Sequence, residues 1–282
     1  MKPAPFDWLR ARTVDEAVGA LVAAEGDALV VAGSQSLGPM LNLRLVQPSL
    51  LVDIRGIEGL SAVVETDDAG KGSTVTYGSL VTHAAIEDGR VVDGTGGLMT
   101  HVARGIAYRA IRTCGTIGGS VCHADPAGDW GTALTLLSAT ALVEGPSGPR
   151  AVPLDRFFLG PFGTVLEPGE LLVGLRVPRL PASTRWAYEK CCRKPGEFAE
   201  SIVGILLDDR AGTCRIVVGA NGGAPAVIDD GGILMNGFDA ACARAALASA
   251  GLEGDSYVLK LHLAMMQRAA LRLSTPGNGG RR

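Results

Sequence analysis

The sequence lacks most of the features that would assign it quickly. Its 282 residues contain no run of about 18 apolar residues, so no membrane span is expected. No block of Lys or Arg offers a surface that could track a phosphate backbone. With a net charge of −3 and a pI near 5.8, a nucleic-acid partner is not expected. The N-terminal MKPAPFDWLRART has no apolar core of the secretory type, which sets the expectation of a cytoplasmic protein. The usual dinucleotide loop GxGxxG, the nucleotide loop GxxxxGK(S/T) and the hydrolase elbow GxSxG are all missing. His83, His101, His123 and His262 lack the HxxxH spacing of a helical metal site. The six cysteines show neither a CxxC pair nor a His partner at zinc spacing. Neither a metal nor a disulfide frame is expected, and Cys114 and Cys122 read as packing residues.

What the chain has instead is glycine and a filled core. Its 39 glycines exceed an average share of roughly 7%, and 47% of its residues are hydrophobic at a mean hydropathy of +0.24. The glycines concentrate where chemistry is expected. Arg112–Asp129, RTCGTIGGSVCHADPAGD, holds four glycines, two threonines, two aspartates and a histidine, and reads as too irregular for helix or strand. Small residues let a backbone approach a ligand closely. A second such segment, Ala32-Gly-Ser-Gln-Ser-Leu-Gly-Pro39, follows directly on the short apolar run Ala28–Val31. Backbone N–H groups at such a strand-to-loop junction can converge on an anion.

Taken in order, Thr13-Val-Asp-Glu16 is a capping-box pattern, and Val14, Ala17, Val18, Leu21 and Val22 then recur at helical spacing up to Gly26. Ala28–Val31 and Leu50–Ile54 read as strands, and Met40–Leu45 as a helical turn. SAVVET and STVTYGSL flank a polar turn and predict an antiparallel hairpin. Helices are expected from His83 to Glu87 and from Gly97 to Tyr108. Another is expected to start at Asp125-Pro126, with Trp130, Ala133, Leu134 and Leu137 on its inner face. Strands follow at Thr140–Glu144, Pro149–Pro153 and Glu170–Pro178. Leu180-Pro-Ala-Ser-Thr184 marks a boundary. Beyond it RWAYEKCC, ESIVGILLD and CRIVVGAN predict a three-stranded antiparallel meander, closed by helices over Asp239–Ala250 and Asp255–Leu273. His262 falls on the latter as a packed or solvated helix residue. The order is α+β: two small α/β units, then a three-stranded sheet carrying helices.

These residues carry a resemblance. Val31-AGSQSLGPMLNLRL followed by LLVDI resembles the first FAD loop of the flavoprotein subunits of the molybdenum hydroxylases, and CGTIGGSVCHADPAGD resembles the second. APFDW, YEKCCRKPGEF and the basic last helix match in the same order, so the likeness covers nearly the whole chain. It implies an FAD-binding domain of the p-cresol methylhydroxylase/vanillyl alcohol oxidase type in two subdomains, over residues 1–178. A C-terminal domain of a three-stranded antiparallel sheet with helices follows over 179–274, with a disordered tail at 275–282.

By the same resemblance, Ala32, Gly33, Ser34, Gln35, Ser36 and Leu37, with Thr116, Ile117, Gly118, Gly119 and Ser120, hold the FAD diphosphate by backbone and hydroxyl contacts. Asp129 lies on the ribityl or adenosine side, with Asp125 as a further candidate. Leu172 and Lys190 stand beside the isoalloxazine ring, where a cation would favour an anionic reduced flavin. His123 shapes the loop, and no catalytic acid or base is expected. The chain departs from the family at Ser34, where a second glycine is usual, at Gly38, a leucine-like position, and at Trp130, which replaces a smaller apolar residue. The segment from Val227 to Phe238 is short for the family. No cysteine-rich insertion marks the branch that reduces benzoyl-CoA compounds.

The implied function is that of an FAD-carrying electron-transfer subunit. A large partner chain would hold molybdopterin, and a small one two 2Fe–2S clusters, assembled as a dimer of heterotrimers that delivers electrons to an external acceptor. A self-sufficient flavin oxidase or dehydrogenase, or a non-catalytic FAD-binding module, would be the alternatives.

Overall fold

The computed structural model describes residues 2–68, 72–228, 233–234, 238–252 and 256–274. The expected tail at 275–282 lies outside the described residues, as does part of the segment between Val227 and Phe238.

Three short strands, β1 (Asp7–Arg10), β2 (Ala28–Val31) and β3 (Leu50–Asp53), form a parallel sheet in the order β1-β3-β2. Parallel strands need crossovers, and α1 (Val14–Ala23) and α2 (Leu37–Asn42) supply them. Half of the predicted capping box is present: Thr13 Oγ1 accepts from the Glu16 amide at 3.1 Å, while the Glu16 carboxylate reaches one residue further back and accepts from the Arg12 amide at 2.8 Å. Ala17 and Leu21 are the buried residues of α1.

The hairpin β4 (Val63–Asp68) and β5 (Gly72–Gly78) begins the second sheet, which β6 (Thr140–Glu144), β7 (Arg150–Pro153) and β10 (Leu171–Pro178) complete. Its order is β4-β5-β10-β6-β7, antiparallel throughout. Between β7 and β10, β8 (Phe158–Gly160) and β9 (Gly163–Thr164) make a small ribbon. Five helices fill the interval from β5 to β6: α3 (His83–Glu87), α4 (Leu98–Gly105), α5 (Arg109–Cys114), α6 (Ile117–His123) and α7 (Asp129–Leu136). Trp130, Leu134, Leu98, Met99 and Ile117 bury completely against Tyr77 and Leu175 of the sheet.

Two expectations fail in this interval. Arg112–Asp129 is largely helical, because Thr116 Oγ1 caps α6 by accepting from the Gly119 amide at 3.1 Å. Ala124, at φ +50°, then ends that helix. Nor does α7 begin at Asp125-Pro126. Asp125 Oδ1 accepts from the Ala127 amide at 2.9 Å in a turn of its own, which delays the helix to Asp129. The inner face expected of α7 is buried as expected.

The third sheet is also antiparallel: β11 (Thr184–Cys191), β12 (Ser201–Asp208), β13 (Thr213–Gly219) and β14 (Ala226–Ile228), in that order. The three expected strands are there, and β14, only three residues long, adds a fourth at the edge. Helices α8 (Ala240–Ser249) and α9 (Ser256–Ser274) close the chain. Side chains alternate across this sheet as the pleat requires. Val203, Ile205, Ile216 and Val218 pack under α9 and α8, while Ile202 and Val217 join the core around α7. Burial on both faces explains why β12 and β13 read as nearly continuous apolar runs. On α9, His262 is buried with Nδ1 2.8 Å from Ser201 Oγ, packed rather than solvated.

Two glycines test this packing in opposite directions. A Cβ on Gly78 would lie 2.2 Å from the Leu60 carbonyl oxygen, whereas one on Gly19, in α1, would meet nothing within 4 Å. Gly78→Ala is therefore expected to lower unfolding free energy by about 1–3 kcal/mol. Gly19→Ala should raise it by about 0.5–1 kcal/mol. Urea unfolding of the two variants followed by circular dichroism checks both signs.

Candidate functional site

The two small-residue segments meet. Strand β2 delivers the chain into Ala32–Ser36, and Gly33 rests on the backbone between α5 and α6. A Cβ on Gly33 would fall 2.2 Å from the Cys114 carbonyl oxygen and 2.8 Å from Gly115 Cα. On the other side of the second segment, a Cβ on Gly118 would fall 2.5 Å from Ser79 Cβ and 2.6 Å from its carbonyl oxygen. These glycines are required by chain-to-chain contact, so their substitution would disturb the fold before it reported on a ligand.

Two departures from the family pattern compensate each other. Ser34 keeps a glycine-like backbone, at φ +57°, which costs a serine about 1–2 kcal/mol. Its Oγ lies 3.2 Å from where a Cβ on Gly38 would be. The hydroxyl thus occupies space that a larger residue at position 38 would claim, and the Gly38 amide donates to the Ser34 carbonyl at 2.9 Å. Strained residues of this kind cluster at binding sites.

Between the segments lies a cavity of about 670 Å³, within the roughly 300–1,000 Å³ of small-molecule sites. Ala32, Gly33, Ser34, Gln35, Ser36 and Leu37 line it, as do Thr116, Gly118, Gly119, Ser120, Asp125, Asp129, Leu172 and Lys190. Ile117 does not. Its side chain is fully buried in the core and its amide donates to the Val81 carbonyl at 2.9 Å.

The two segments offer different groups. In the second, the amides of Gly118, Gly119 and Ser120 are taken by Ser79 O, Thr116 Oγ1 and Thr116 O. What it presents is hydroxyls and a small-residue surface. In the first, the amides of Gly33, Ser34, Gln35 and Ser36 donate to no protein acceptor among the described residues. The Gln35 side chain braces that loop by donating to the Gly33 carbonyl at 2.8 Å. A run of amides without acceptors suits a diphosphate.

At another part of the wall, Lys190 of β11 meets Asp129 at the start of α7. Nζ donates to Asp129 Oδ2 at 2.7 Å and to the Gly105 carbonyl at 3.2 Å, while Tyr188 Oη lies 3.3 Å from Asp129 Oδ1. Burial pushes the Asp129 carboxyl up, with Lys190 and the Tyr188 hydroxyl pulling it back. Burial beside that carboxylate raises the Tyr188 hydroxyl well above its ordinary range. Because Asp129 and Lys190 touch, they address the same end of any ligand. An Asp129 on the adenosine side and a Lys190 at the flavin ring are therefore not compatible with each other. The pairing also means that the ammonium is charge-compensated, which the sequence did not suggest.

Other wall residues were missed. His83, at the start of α3, is buried beside Gly115, and its Nδ1 accepts from the Trp130 indole at 3.0 Å. Burial, with the Arg112 charge adding to it, pushes the ring down to about 4. Gly196, Glu197 and Phe198 close one side, with Gly196 at φ +87° against the Ala107 carbonyl. Cys114 and Cys122, expected to pack, are exposed, and Cys122 lines the cavity. His123 also lines it, with its ring 5.3 Å from that of Phe162. Arg193 pairs with Glu200 at the surface. His83 and Gly196–Phe198 lie outside both small-residue segments, so no signal short of the fold places them on the wall.

Comparison with known proteins gives the geometry its context. Residues 4–180 match the FAD binding domain in molybdopterin dehydrogenase. The 6-hydroxypseudooxynicotine dehydrogenase complex subunit alpha of Paenarthrobacter nicotinovorans is 34% identical, covering 95% of this chain and 91% of its own length. The carbon monoxide dehydrogenase medium chain of Hydrogenophaga pseudoflava is 37% identical over 73% of this chain and 70% of its own. Among solved structures, carbon monoxide dehydrogenase from Hydrogenophaga pseudoflava superposes with a TM-score of 0.86 at 32% identity, covering 97% of this chain and 98% of that one. Quinoline 2-oxidoreductase from Pseudomonas putida 86 gives 0.82 at 30% identity, covering 97% and 98%. With two small-residue loops facing one cavity and a family match over most of its length, this chain belongs to the FAD-binding subunits of the molybdenum hydroxylases, a family of oxidoreductases.

Proposed function

We propose that the chain is the electron-transfer subunit of a cytoplasmic molybdenum-containing hydroxylase or dehydrogenase. It would receive electrons from 2Fe–2S clusters on a small partner, themselves reduced by a large molybdopterin-binding partner, and pass them to an external acceptor. The dimer of heterotrimers expected from the resemblance belongs to the same proposal, as does the division into an FAD-binding domain over 1–178 and a C-terminal domain over 179–274. The observation that carries the reading is the cavity between Ala32–Leu37 and Thr116–Ser120, where consecutive amides of the first segment lack acceptors among the described residues. FAD supplies the redox chemistry when bound, exchanging electrons singly with clusters and in pairs with an acceptor.

The residues present fit that group. The amides of Gly33–Ser36 would hold the diphosphate from one side, and the hydroxyls of Thr116 and Ser120 from the other. Asp129 and Lys190 would face the ribityl and ring end together. Leu172, buried in β10, gives that end an apolar wall. Asp125 stands at the lip with its carboxylate committed to the Ala127 amide.

Two experiments test the assignment. Ser120→Asp places a carboxylate on the cavity wall without touching a glycine contact. It is expected to weaken FAD binding about tenfold or more, while Ser120→Ala has a smaller effect and both keep the parent circular dichroism. Undiminished FAD content in the Ser120→Asp protein would remove Thr116–Ser120 from the site. Asp129→Asn leaves the Lys190 charge uncompensated and should raise the two-electron potential of bound FAD, whereas Lys190→Met should lower it. Shifts of about 30 mV, equivalent to about 1.4 kcal/mol, are expected in a dye-coupled reductive titration. Equal potentials in all three proteins would place Lys190 away from the ring.

A further inference from the structure

Trp130 and His83 form a buried pair that the family likeness does not account for, Trp130 being a departure from its pattern. The indole Nε1 donates to His83 Nδ1 at 3.0 Å, with the rings tilted by 36° and their centroids 6.0 Å apart. A nitrogen that accepts carries no proton, so the neutral imidazole bears its hydrogen on Nε2. The ring is held neutral by burial, its titration lying at about 4. Nε2 donates to no acceptor among the described residues. It is also absent from the buried polar atoms that are sealed off without a partner, so it reaches the cavity that His83 lines.

The backbone fixes where that donor stands. The His83 amide donates to the Gly115 carbonyl at 3.0 Å, and Thr82 bridges to Thr116. A Cβ on Gly115 would come within 2.9 Å of both Nε2 and Cδ2. Any residue other than glycine would cover that edge of the ring. The second segment therefore has a donor beyond its hydroxyls, which matters because its amides from Ile117 to Ser120 are occupied.

We infer that His83 is a dinucleotide-binding residue, donating its Nε2–H to an acceptor oxygen of the dinucleotide beside Gly115 and Thr116, and that Trp130 is the positioning residue that holds the ring in the donating tautomer. The inference rests on the FAD reading of the cavity. With the proton on Nδ1 instead, Nε2 would turn a lone pair toward the same acceptor and repel it. Trp130 opposes this by offering Nδ1 a hydrogen that only an unprotonated nitrogen can accept.

Imidazole-nitrogen NMR of the histidine-labelled full chain decides the matter. In the apo-protein His83 is expected as the Nε2–H tautomer, and its Nε2 resonance should move when FAD is added. Trp130→Phe should give a mixture of tautomers and weaken FAD binding about three- to tenfold. His83→Gln, whose terminal amide restores an N–H near the place of Nε2, should stay within about threefold of the parent, while His83→Leu loses about tenfold. A wild-type protein that binds FAD with an unmoved His83 resonance, or a Trp130→Phe protein with the parent tautomer, would overturn the inference and leave the FAD reading standing. A wild-type chain that takes up no FAD would overturn the parent reading and the ligand assigned to His83. The resonances are measured on the wild-type chain, so the outcome does not depend on how the variants fold.

Discussion

Contact between the Gly33 backbone and the Cys114–Gly115 peptide is the constraint on which the site depends. A single methyl group on Gly33 would come to 2.2 Å from a carbonyl oxygen, closer than any packing tolerates. The contact presses the loop after β2, from the parallel sheet, against the turn between α5 and α6, from the antiparallel sheet. The cavity exists because the two chain segments touch at this point and diverge from it. A second glycine contact, Gly118 on Ser79, fixes α6 to the end of β5 in the same way. The position of the small-residue surface in each layer is thereby set by main chain, which adjusts less than side chains do.

The cavity wall holds its ligand groups with little free positive charge. The ammonium of Lys190 is matched to Asp129 at 2.7 Å, and His83 is neutral. An anionic diphosphate would therefore be met by amide and hydroxyl dipoles, which are preorganised by the loops and need no counter-ion. Dipoles also leave the net charge at the Asp129–Lys190 end adjustable. Whether a group bound there would feel a cation depends on how far the Asp129 carboxylate cancels Lys190, and burial pushes that carboxyl toward its neutral form. Lys190, and with it the Tyr188 hydroxyl 3.3 Å from the same carboxylate, pulls the other way.

Much of this was legible in the sequence, and the reasons differ by element. Longer strands and helices announced themselves by periodicity, whereas β1, β8, β9 and β14 escaped because two to four residues carry too little of a period. The two loops were legible as concentrations of small residues, and their order and spacing carried the family. Their physical reason was not: Gly33 and Gly118 are small because another segment of chain lies against them. The short helices within Arg112–Asp129 were hidden because glycine, Thr and Asp are weak helix formers. They form where Thr116 supplies a cap and tertiary packing decides. Ser34 and Gly38 looked like two separate departures and turn out to share one space. His83 had no signal, since its role depends on a partner 47 residues away.

Helix α7 explains why the third sheet belongs to the site. Its first residue is Asp129, its second is Trp130, and its far side packs on β12 and β13. The sheet admits it closely through glycines: a Cβ on Gly204 would meet Leu136 Cδ2 at 2.5 Å, and one on Gly219 would overlap the Thr132 side chain. Side chains at either position would lift the helix and carry Asp129 away from Lys190, and the Trp130 indole away from His83. The same sheet supplies Lys190 and Tyr188 from β11. The helix is thus clamped between two sheets within one core, and its N-terminal turn reaches the cavity. A rigid mount of this kind suits a redox site, because a charge displaced by an ångström beside a ring changes its potential, whereas a diphosphate tolerates small shifts in the dipoles around it.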